Sequence, residues 1–377
     1  MLTPDPADGR PPTLGIVEEY LLLDRWSGHP VPVADAVRSA ASLQPALEPD
    51  EVHDELLQVQ VEVATPACQE LDEAGGHLLR LRHELGTAAE THGARLVASG
   101  AAPWHDGAAP VTDEARYRDI RLRAPALVDD QLINGMHVHV AVPSRAHAVE
   151  VVNRLRPDLP LLIAMSADSP YWQGRDTGFS SWRSVHQERW PVAGPPPHFT
   201  DEAHHDRCIQ ELLATGTVRD LGQLYWHARV SSRHPTVEIR CADGQLRVDD
   251  SVLLAGVVRA LVMTALADLR RDAPYPVVSP ELLKAACWRA ARHGLDDDLH
   301  DLRQGRRRRP GDMVVDLLDR VQPALEASHD ADQVHKLSDR LLREGCGASR
   351  QRQVVARQGL SQLVDFLAGE TTATWLD

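Results

Sequence analysis

Lysine is almost absent from this 377-residue chain. Lys284 and Lys336 are the only two, although lysine and arginine together number 40. Guanidinium groups therefore carry nearly all the positive charge, and they suit bidentate contacts with carboxylate or phosphate. The formal net charge of -15 disfavours sequence-independent nucleic-acid binding, which needs a basic surface to release counterions. We expect the one dense basic run, residues 303–310, to be a solvated loop between helices.

Cysteine is also scarce, and its five copies are scattered without a CxxC pair. This pattern indicates neither a disulfide framework nor a thiolate zinc site. No apolar run is expected to reach the roughly 20 residues of a membrane span, and the first residues do not resemble a signal peptide. We therefore expect a cytoplasmic protein without membrane contact. No repeat or linker divides the chain, so residues 1–377 are predicted to form a single domain.

Three catalytic or nucleotide-binding motifs are missing. The chain has no GxxxxGK[ST] loop and no GxGxxG, which disfavours P-loop and Rossmann nucleotide sites. It also lacks HExxH, which makes a zinc hydrolase a poor interpretation. Any nucleotide chemistry must therefore use another kind of site.

The stretch GMHVHVAV, residues 135–142, places two histidines in a strand-like run. Its period-2 alternation sends the apolar residues to one face and His137, His139 and Ala141 to the other. A single strand histidine is most often half-buried and hydrogen-bonded to its surroundings. Two on one face lie within reach of one ion or one anionic ligand, which favours a site.

Three further stretches alternate in the same way. TVEIR puts Thr236, Glu238 and Arg240 on one face of its strand. In the same way QVQVEVAT places Glu62, and GIVEEYLLL places Glu19, on one face of a strand. Taken alone, Glu238 and Arg240 can simply neutralise each other at a sheet surface. Together, the four polar faces predict a curved sheet whose concave side holds ions and anions. Carboxylates and imidazoles without cysteine suit hard or borderline cations, with magnesium or manganese favoured when phosphate is present.

The remaining pattern completes an α+β prediction. A long segment at 166–199, rich in Gly, Pro, Ser, Arg and Trp, follows neither period, and long irregular loops are commonly functional. Hydrophobic spacing predicts helices at about 71–92, at 144–165 with an interruption near Pro157 and Pro160, at 201–214, and over most of the chain from Asp249 onward.

A set of segments carries a family resemblance. TLGIVEEYLLLD, ELLQVQVEVATPAC, GMHVHVAVP, SADSPYWQGRDTGFSSWRS, RWPVAGPPPHF, SRHPTVEIRCAD and WRAARHGL occur in this order. The chain resembles the glutamate-cysteine ligase superfamily, in its bacterial carboxylate-amine ligase branch. The match spans about residues 13–300 and leaves a helical carboxy-terminal flank at about 301–377.

The resemblance implies a fold and an activity. The fold would be a curved, mainly antiparallel, funnel-like sheet flanked by helices, as in glutamine synthetase and glutamate-cysteine ligase. The enzyme would use ATP and magnesium, or manganese, to activate the γ-carboxylate of L-glutamate as an acyl phosphate and pass it to an amine. Small-molecule substrates would be its partners.

The resemblance also implies site residues. The metal ligands would be Glu19, Glu55, Glu62, His137 and Glu238, with Glu55 standing where the family usually has Asp. The catalytic arginines would be Arg240 and Arg233. Substrate and nucleotide would be held by His139, Arg175, Arg183 and Thr236.

Three positions depart from the family pattern. Val17 stands at the first Glu of the family's Glu-x-Glu, Ala101-Ala102 replaces Thr-His before Pro103, and His227 replaces an Asp after a Trp. Glu18 could replace the lost carboxylate only through a bulge or register change. Two interpretations stay open: a γ-glutamyl ligase with an altered acceptor pocket or metal geometry, and a non-catalytic protein that binds glutamate or nucleotide.

The sequence leaves the acceptor amine and the oligomeric state open. The segment 251–269 is so apolar that it must be buried in the core or in a homodimer interface. The core is the simpler prediction.

Overall fold

The computed structural model describes residues 10–48 and 50–373. The start of the chain and the last four residues, on which the signal-peptide and tail predictions partly fall, lie outside it. Within these ranges the strands are β1 Leu14–Asp24, β2 Val52–Asp54, β3 Gln60–Ala64, β4 Ala94–Val97, β5 Gly135–Ala141, β6 Tyr171–Trp172, β7 Arg175–Asp176, β8 Ala193–Gly194, β9 Tyr225–Trp226, β10 Ala228–Val230, β11 Thr236–Asp243, β12 Leu299–Asp301 and β13 Arg306–Arg308.

Helices account for about half of the described chain. They are α1 Ala34–Ala41, α2 Leu71–Thr91, α3 Ala115–Arg123, α4 Pro125–Asp129, α5 Arg145–Leu155, α6 Leu159–Met165, α7 Trp182–Gln187, α8 Glu202–Ala214, α9 Val248–Arg270, α10 Pro280–His293, α11 Pro310–Ala327, α12 Ala331–Glu344, α13 Gly347–Gln358 and α14 Leu363–Thr371. Short 3-10 turns lie at Arg156–Asp158, Leu221–Gln223 and Leu360–Gln362.

The central sheet has seven strands in the order β10-β11-β5-β1-β3-β2, with β4 also paired to β1. Every pair in it is antiparallel. The register slips between Ile239 and Ala242, where β11 bends against β5. The prediction of an antiparallel sheet flanked by helices is confirmed.

Alternation along β5 decides which side of the sheet is core. Met136, Val138 and Val140 are 2% exposed or less and pack in one hydrophobic cluster with α5, α6 and α9. His137 and His139 point to the opposite side. The apolar face of the sheet therefore carries the helices, and the polar face is free to form a cleft.

Helix α9 is long and apolar enough to cross a membrane, so the expectation that no segment would be was wrong. It lies inside the protein, with 72% of its apolar window buried. Arg259 in its middle is fully buried, and its Nε donates to Asp330 Oδ2 at 3.0 Å. A buried guanidinium needs such a partner, and this one joins α9 to the start of α12. The prediction of a core helix is confirmed.

Some predicted elements differ from the observed ones, and others agree with them. The alternating stretch QVQVEVAT, in the segment 55–66, is a strand only over β3, because residues 58 and 59 turn the chain into it. The helical segment 144–165 divides into α5 and α6 at Pro157, as its prolines indicated. Within the basic run 303–310, which was predicted as a loop, residues 306–308 form β13 of a hairpin. Arg308 binds Asp301 in that hairpin, and Arg303 binds the distant Asp158. The flank is otherwise helical over α11 to α14.

Candidate active site

A cleft of about 910 Å³ opens on the polar face of the sheet. Its floor comes from the side chains that alternate outward from β1, β3, β5 and β11. Its walls come from the segment before β3, from α3, from α7 and from the loop 231–235. This volume lies within the range of natural small-molecule sites.

Three carboxylates converge on the floor of this cleft. Glu19 on β1 lies opposite Glu62 on β3 in the strand register, and Glu55 approaches from the loop between β2 and β3. One oxygen from each lies within 4.8 Å of the other two. Directly opposed like charges destabilise a sheet, so this arrangement calls for a cation. Carboxylate oxygens are the ligands that magnesium and manganese prefer.

Burial and mutual repulsion shift the titration of these groups. Burial, and then the charges of Glu55 and Glu19, raise the pKa of Glu62 well above its ordinary value. Burial, followed by the charge of Glu19, raises the pKa of Glu55 to about 7. Burial also raises the pKa of Glu19, against the opposing effect of Arg183. The three groups therefore resist ionisation together until a cation joins them.

We expect Glu55→Gln to stabilise the metal-free protein increasingly as pH rises. An acid whose pKa is raised by folding loses its proton first in the unfolded chain, so it costs stability above its unfolded pKa. The gain in free energy of unfolding should therefore grow from about pH 4.5 to pH 7 and then level off, reaching the order of 3 kcal/mol. Urea denaturation of both proteins with a chelator measures it. A gain that is constant over this range would contradict the assignment.

His137 contacts the carboxylate cluster through its Nε2 atom, which lies 3.8 Å from Glu19 Oε1. Its Nδ1 atom lies 3.3 Å from the Nη1 of Arg240. Because a guanidinium can only donate, Nδ1 accepts and the proton sits on Nε2, which has no hydrogen-bond partner among the described residues. Burial, reinforced by Arg240, lowers the pKa of His137 well below its ordinary value, so the ring is neutral. A direct role in metal binding stays a prediction.

Glu238 is held by two arginines. The Nε of Arg229 donates to its Oε2 at 2.6 Å, and Arg240 donates to its Oε1. Burial alone would raise the pKa of Glu238, but Arg240 and Arg229 lower it well below its ordinary value. Glu238 is not among the three converging carboxylates. The interpretation of Glu238 as a metal ligand stays a prediction. The observed contact is the ion pair with Arg240, which was the alternative interpretation of the stretch TVEIR.

His139 and Thr236 stand beside Glu238. The Nδ1 of His139 lies 3.0 Å from the Thr236 hydroxyl, and its Nε2 lies 3.8 Å from Glu238 Oε1. His139 lines the cleft, whereas Thr236 is buried behind it and outside the lining. Thr236 therefore orients the imidazole rather than reaching a ligand in the cleft itself.

The arginines predicted to bind anions separate into two groups. Arg183 and Arg233 line the cleft, and neither forms an ion pair in the described parts of the chain. Arg183 is 7% exposed and donates to the carbonyl of Arg240 at 3.2 Å. Arg175 is corrected: it lies exposed on β7, paired in register with Trp172, and does not line the cleft.

The structure shows where Val17 points and whether Glu18 can replace the carboxylate lost at position 17. Val17 lines the cleft opposite His137, so its missing carboxylate would have faced the site. Glu18 points into the core, where Arg82 donates to both of its oxygens at 2.8 and 3.0 Å. The register of β1 with β3 is continuous from Val17 to Leu21. Glu18 therefore does not replace the missing group.

The other two departures lie outside the cleft lining. Ala101 and Ala102 are buried in a hydrophobic cluster. His227 is 5% exposed, and burial, followed by Arg183, lowers its pKa to about 3. Its ring is therefore neutral.

Sequence reasoning missed several charged groups of the cleft. Arg229 could have been found, because it stands between the apolar Ala228 and Val230 and faces Glu238 across the strand pair. The bidentate pair of Arg116 with Asp220 gave no sequence signal, since it joins α3 to a distant turn.

The antiparallel sheet thus carries a carboxylate cluster and an arginine-lined cleft on its polar face, and these groups suit a hard cation and anionic ligands. The model of glutamate-cysteine ligase family 2 matches residues 13–365. The chain belongs to this family, and it is a carboxylate-amine ligase. The resemblance noted from its motifs is confirmed.

Two relatives support this assignment, and one solved structure shares the fold. A Salinispora arenicola protein named "Putative glutamate--cysteine ligase 2" is 44% identical over 361 residues, covering 95% of each chain. A Mycolicibacterium vanbaalenii protein named "Putative glutamate--cysteine ligase 2-2" is 44% identical over 366 residues, covering 97% of this chain and 99% of the relative. The crystal structure of glutamate-cysteine ligase from Francisella tularensis in complex with AMP is similar in fold, with a TM-score of 0.72 at 12% identity, covering 97% of this chain and 90% of that one.

Proposed function

We propose that the protein joins the γ-carboxylate of L-glutamate to the amine of an amino acid or small amine, using ATP and magnesium. The single observation that carries this proposal is the convergence of Glu19, Glu55 and Glu62 in a cleft that arginines also line. The AMP in the Francisella tularensis complex supports nucleotide use by this fold. A cytoplasmic location and a homodimer stay predictions.

The donor set fits magnesium, with manganese as the alternative. All three groups of the cluster are hard oxygen donors, and no thiol lines the cleft among the described residues. Bound there, the cation would neutralise phosphate oxygens and the charge that develops during phosphoryl transfer. Glu19, Glu55 and Glu62 would hold it, and the N–H of Gly135, 2.6 Å from Glu19 Oε2, keeps Glu19 oriented.

The arginines of the cleft would offset the electrostatic repulsion between ATP and the substrate carboxylate. Within the described residues Arg183 and Arg233 form no ion pair with a carboxylate, so they can bind incoming oxyanions without breaking one. Arg240 lies between Glu238 and His137, and both it and Arg229 can contact phosphate once their hydrogen bonds rearrange.

The reaction balances without a further co-reactant. A γ-carboxylate oxygen of glutamate attacks the terminal phosphorus of ATP, the bond to ADP breaks, and an acyl phosphate forms. The lone pair of a neutral amine then attacks the acyl carbon, phosphate leaves with the original carboxylate oxygen, and the amine releases one proton. No side chain of the cleft is required as a general base if the amine arrives deprotonated.

The experiment is ADP release from ATP and magnesium with L-glutamate, measured against a panel of amino acids and amines that includes cysteine. Mass spectrometry of the products identifies any γ-glutamyl amide. We expect release that depends on both glutamate and one class of amine. No release with any amine, while ATP or glutamate still binds by calorimetry, would favour the non-catalytic interpretation instead.

Val17→Glu is expected to tighten magnesium binding by about tenfold, because cation affinity rises with the number of charged ligands. Val17 faces the cleft beside the cluster, so the new carboxylate would enter the site. Calorimetric titration of both proteins measures the change. Ala64→Glu, whose new carboxylate also enters the cleft from the facing strand position, tests whether position 17 itself matters. Equal affinity of Val17→Glu and the unaltered protein would contradict the expectation.

A further inference from the structure

The guanidinium of Arg183 lies against the backbone of Gly135. A Cβ atom at position 135 would stand 2.3 Å from Nη2 and 2.9 Å from Cζ of Arg183, so any other residue there displaces the arginine. The same Gly135 donates its N–H to Glu19. One residue thus fixes a carboxylate of the cluster and makes room for the buried Arg183, which forms no ion pair with any carboxylate in the described part of the chain.

A buried carboxylate outside the cleft organises the segment that carries Arg183. Asp243 ends β11 and is 1% exposed. Its Oδ2 accepts the N–H of Asp168 at 2.8 Å and the hydroxyl of Ser169 at 2.7 Å, and its Oδ1 accepts the hydroxyl of Ser181 at 2.7 Å. Three donors from the irregular segment 166–199 therefore meet on one side chain.

The two serines carry this order to the backbone around Arg183. The Ser169 hydroxyl oxygen accepts the N–H of Arg183 at 3.0 Å. The Ser181 hydroxyl oxygen accepts the N–H of Ser184 at 3.1 Å. A shift of the Asp243 carboxylate would thus move the main chain on both sides of the arginine, whose side chain then has to reach Gly135 from a different origin.

We propose that Asp243 is a positioning residue of this ligase, acting through Ser169 and Ser181 to hold the Arg183 guanidinium against Gly135, where it meets an oxyanion of the substrates. The proposal rests on the proposed function. The oxyanion is a carboxylate of the amino-acid substrate or a phosphate of the nucleotide, and kinetics with each substrate varied in turn distinguishes the two.

A double-mutant cycle tests the proposal. Asp243→Asn keeps the shape of the side chain but replaces one acceptor with a donor. In the unaltered protein it should lower kcat/KM for one of the two anionic substrates about 100-fold, the scale of a 1 Å misplacement. In an Arg183→Ala background it should change the remaining rate by no more than about twofold. Equal losses in both backgrounds would mean a general structural role and would overturn the proposal.

Two further variants keep the test decisive. Gly135→Ala moves only the flexible end of Arg183, so it is expected to fold and to lose activity on the same substrate as Asp243→Asn. Full activity of Gly135→Ala would overturn the proposal even if Asp243→Asn does not fold. Asp158→Asn, which alters a comparably buried carboxylate bound by Arg303 and Arg320 away from the cleft, should leave kcat/KM unchanged.

The cycle also separates this proposal from the proposed function. If the unaltered protein releases no ADP with any amine, the ligase assignment fails, and the same four proteins are compared by calorimetric affinity for L-glutamate and for ATP. Non-additive losses of affinity would still support Asp243 as the positioning residue of Arg183. Additive losses would overturn it.

Discussion

Glu62→Gln is expected to lower ligase turnover by the order of 10³-fold, because a metal contact that stabilises charge in phosphoryl transfer is worth several kcal/mol. The same change should raise the thermal midpoint of the metal-free protein. Burial and the charges of Glu55 and Glu19 raise the pKa of Glu62, so its ionised form strains the fold when no cation is present. Turnover, magnesium titration and thermal unfolding with a chelator measure the three effects.

Glu114→Gln is the matched control for this prediction. Glu114 lines the same cleft but is exposed and does not belong to the carboxylate cluster. Its substitution should change turnover and magnesium affinity by no more than about twofold, the size of an isolated surface effect. Full turnover in Glu62→Gln would remove the cluster from the reaction, and an unchanged thermal midpoint would refute the repulsion among its members.

Glu238→Gln is expected to lower both turnover and stability. The carboxylate is 3% exposed and binds Arg229 and Arg240, so its loss leaves two largely buried guanidinium groups without a counter-charge. Breaking a buried ion pair on one side costs about 3 kcal/mol of the free energy of unfolding. Turnover should fall about 100-fold, since both arginines lose their orientation. Chemical denaturation and steady-state kinetics measure these losses.

The magnesium titration of Glu238→Gln separates two roles. If Glu238 only holds the arginines, magnesium affinity stays unchanged while ATP affinity falls. If it is also a metal ligand, magnesium affinity falls at least about tenfold, the usual effect of losing a contact in a metal site. Glu344→Gln removes a half-exposed partner of Arg247 and should cost less than about 1 kcal/mol. Unaltered stability and turnover in Glu238→Gln would contradict both roles.

The sequence predicted those parts of the site that depend on strand alternation. Period 2 alone places His137, Glu19 and Glu238 on one face of their strands, and the structure brings these faces together in one cleft. The apolar face of β5 was equally readable, since Met136 and Val138 are buried against the helices. Such predictions succeed because the direction of a strand side chain is fixed locally.

Contacts between distant segments could not be predicted in this way. The approach of Arg183 to Gly135 and the pairing of Arg116 with Asp220 depend on the paths of irregular segments between distant elements. Arg175 shows the converse, because a charged residue in a functional loop turned out to lie on an exposed hairpin. Residue type and proximity in sequence do not determine which loop side chains reach a cleft.

The proposed function requires that this cleft activates a carboxylate through ATP, and a test of oxygen transfer from glutamate to phosphate examines this step. L-Glutamate labelled with ¹⁸O in its γ-carboxylate is incubated with ATP, magnesium and the amine that supports ADP release, and the phosphate formed is examined by mass spectrometry. An acyl phosphate requires one labelled oxygen to appear in each phosphate released during amide formation. Unlabelled phosphate released together with a γ-glutamyl product would rule out an acyl phosphate in this reaction.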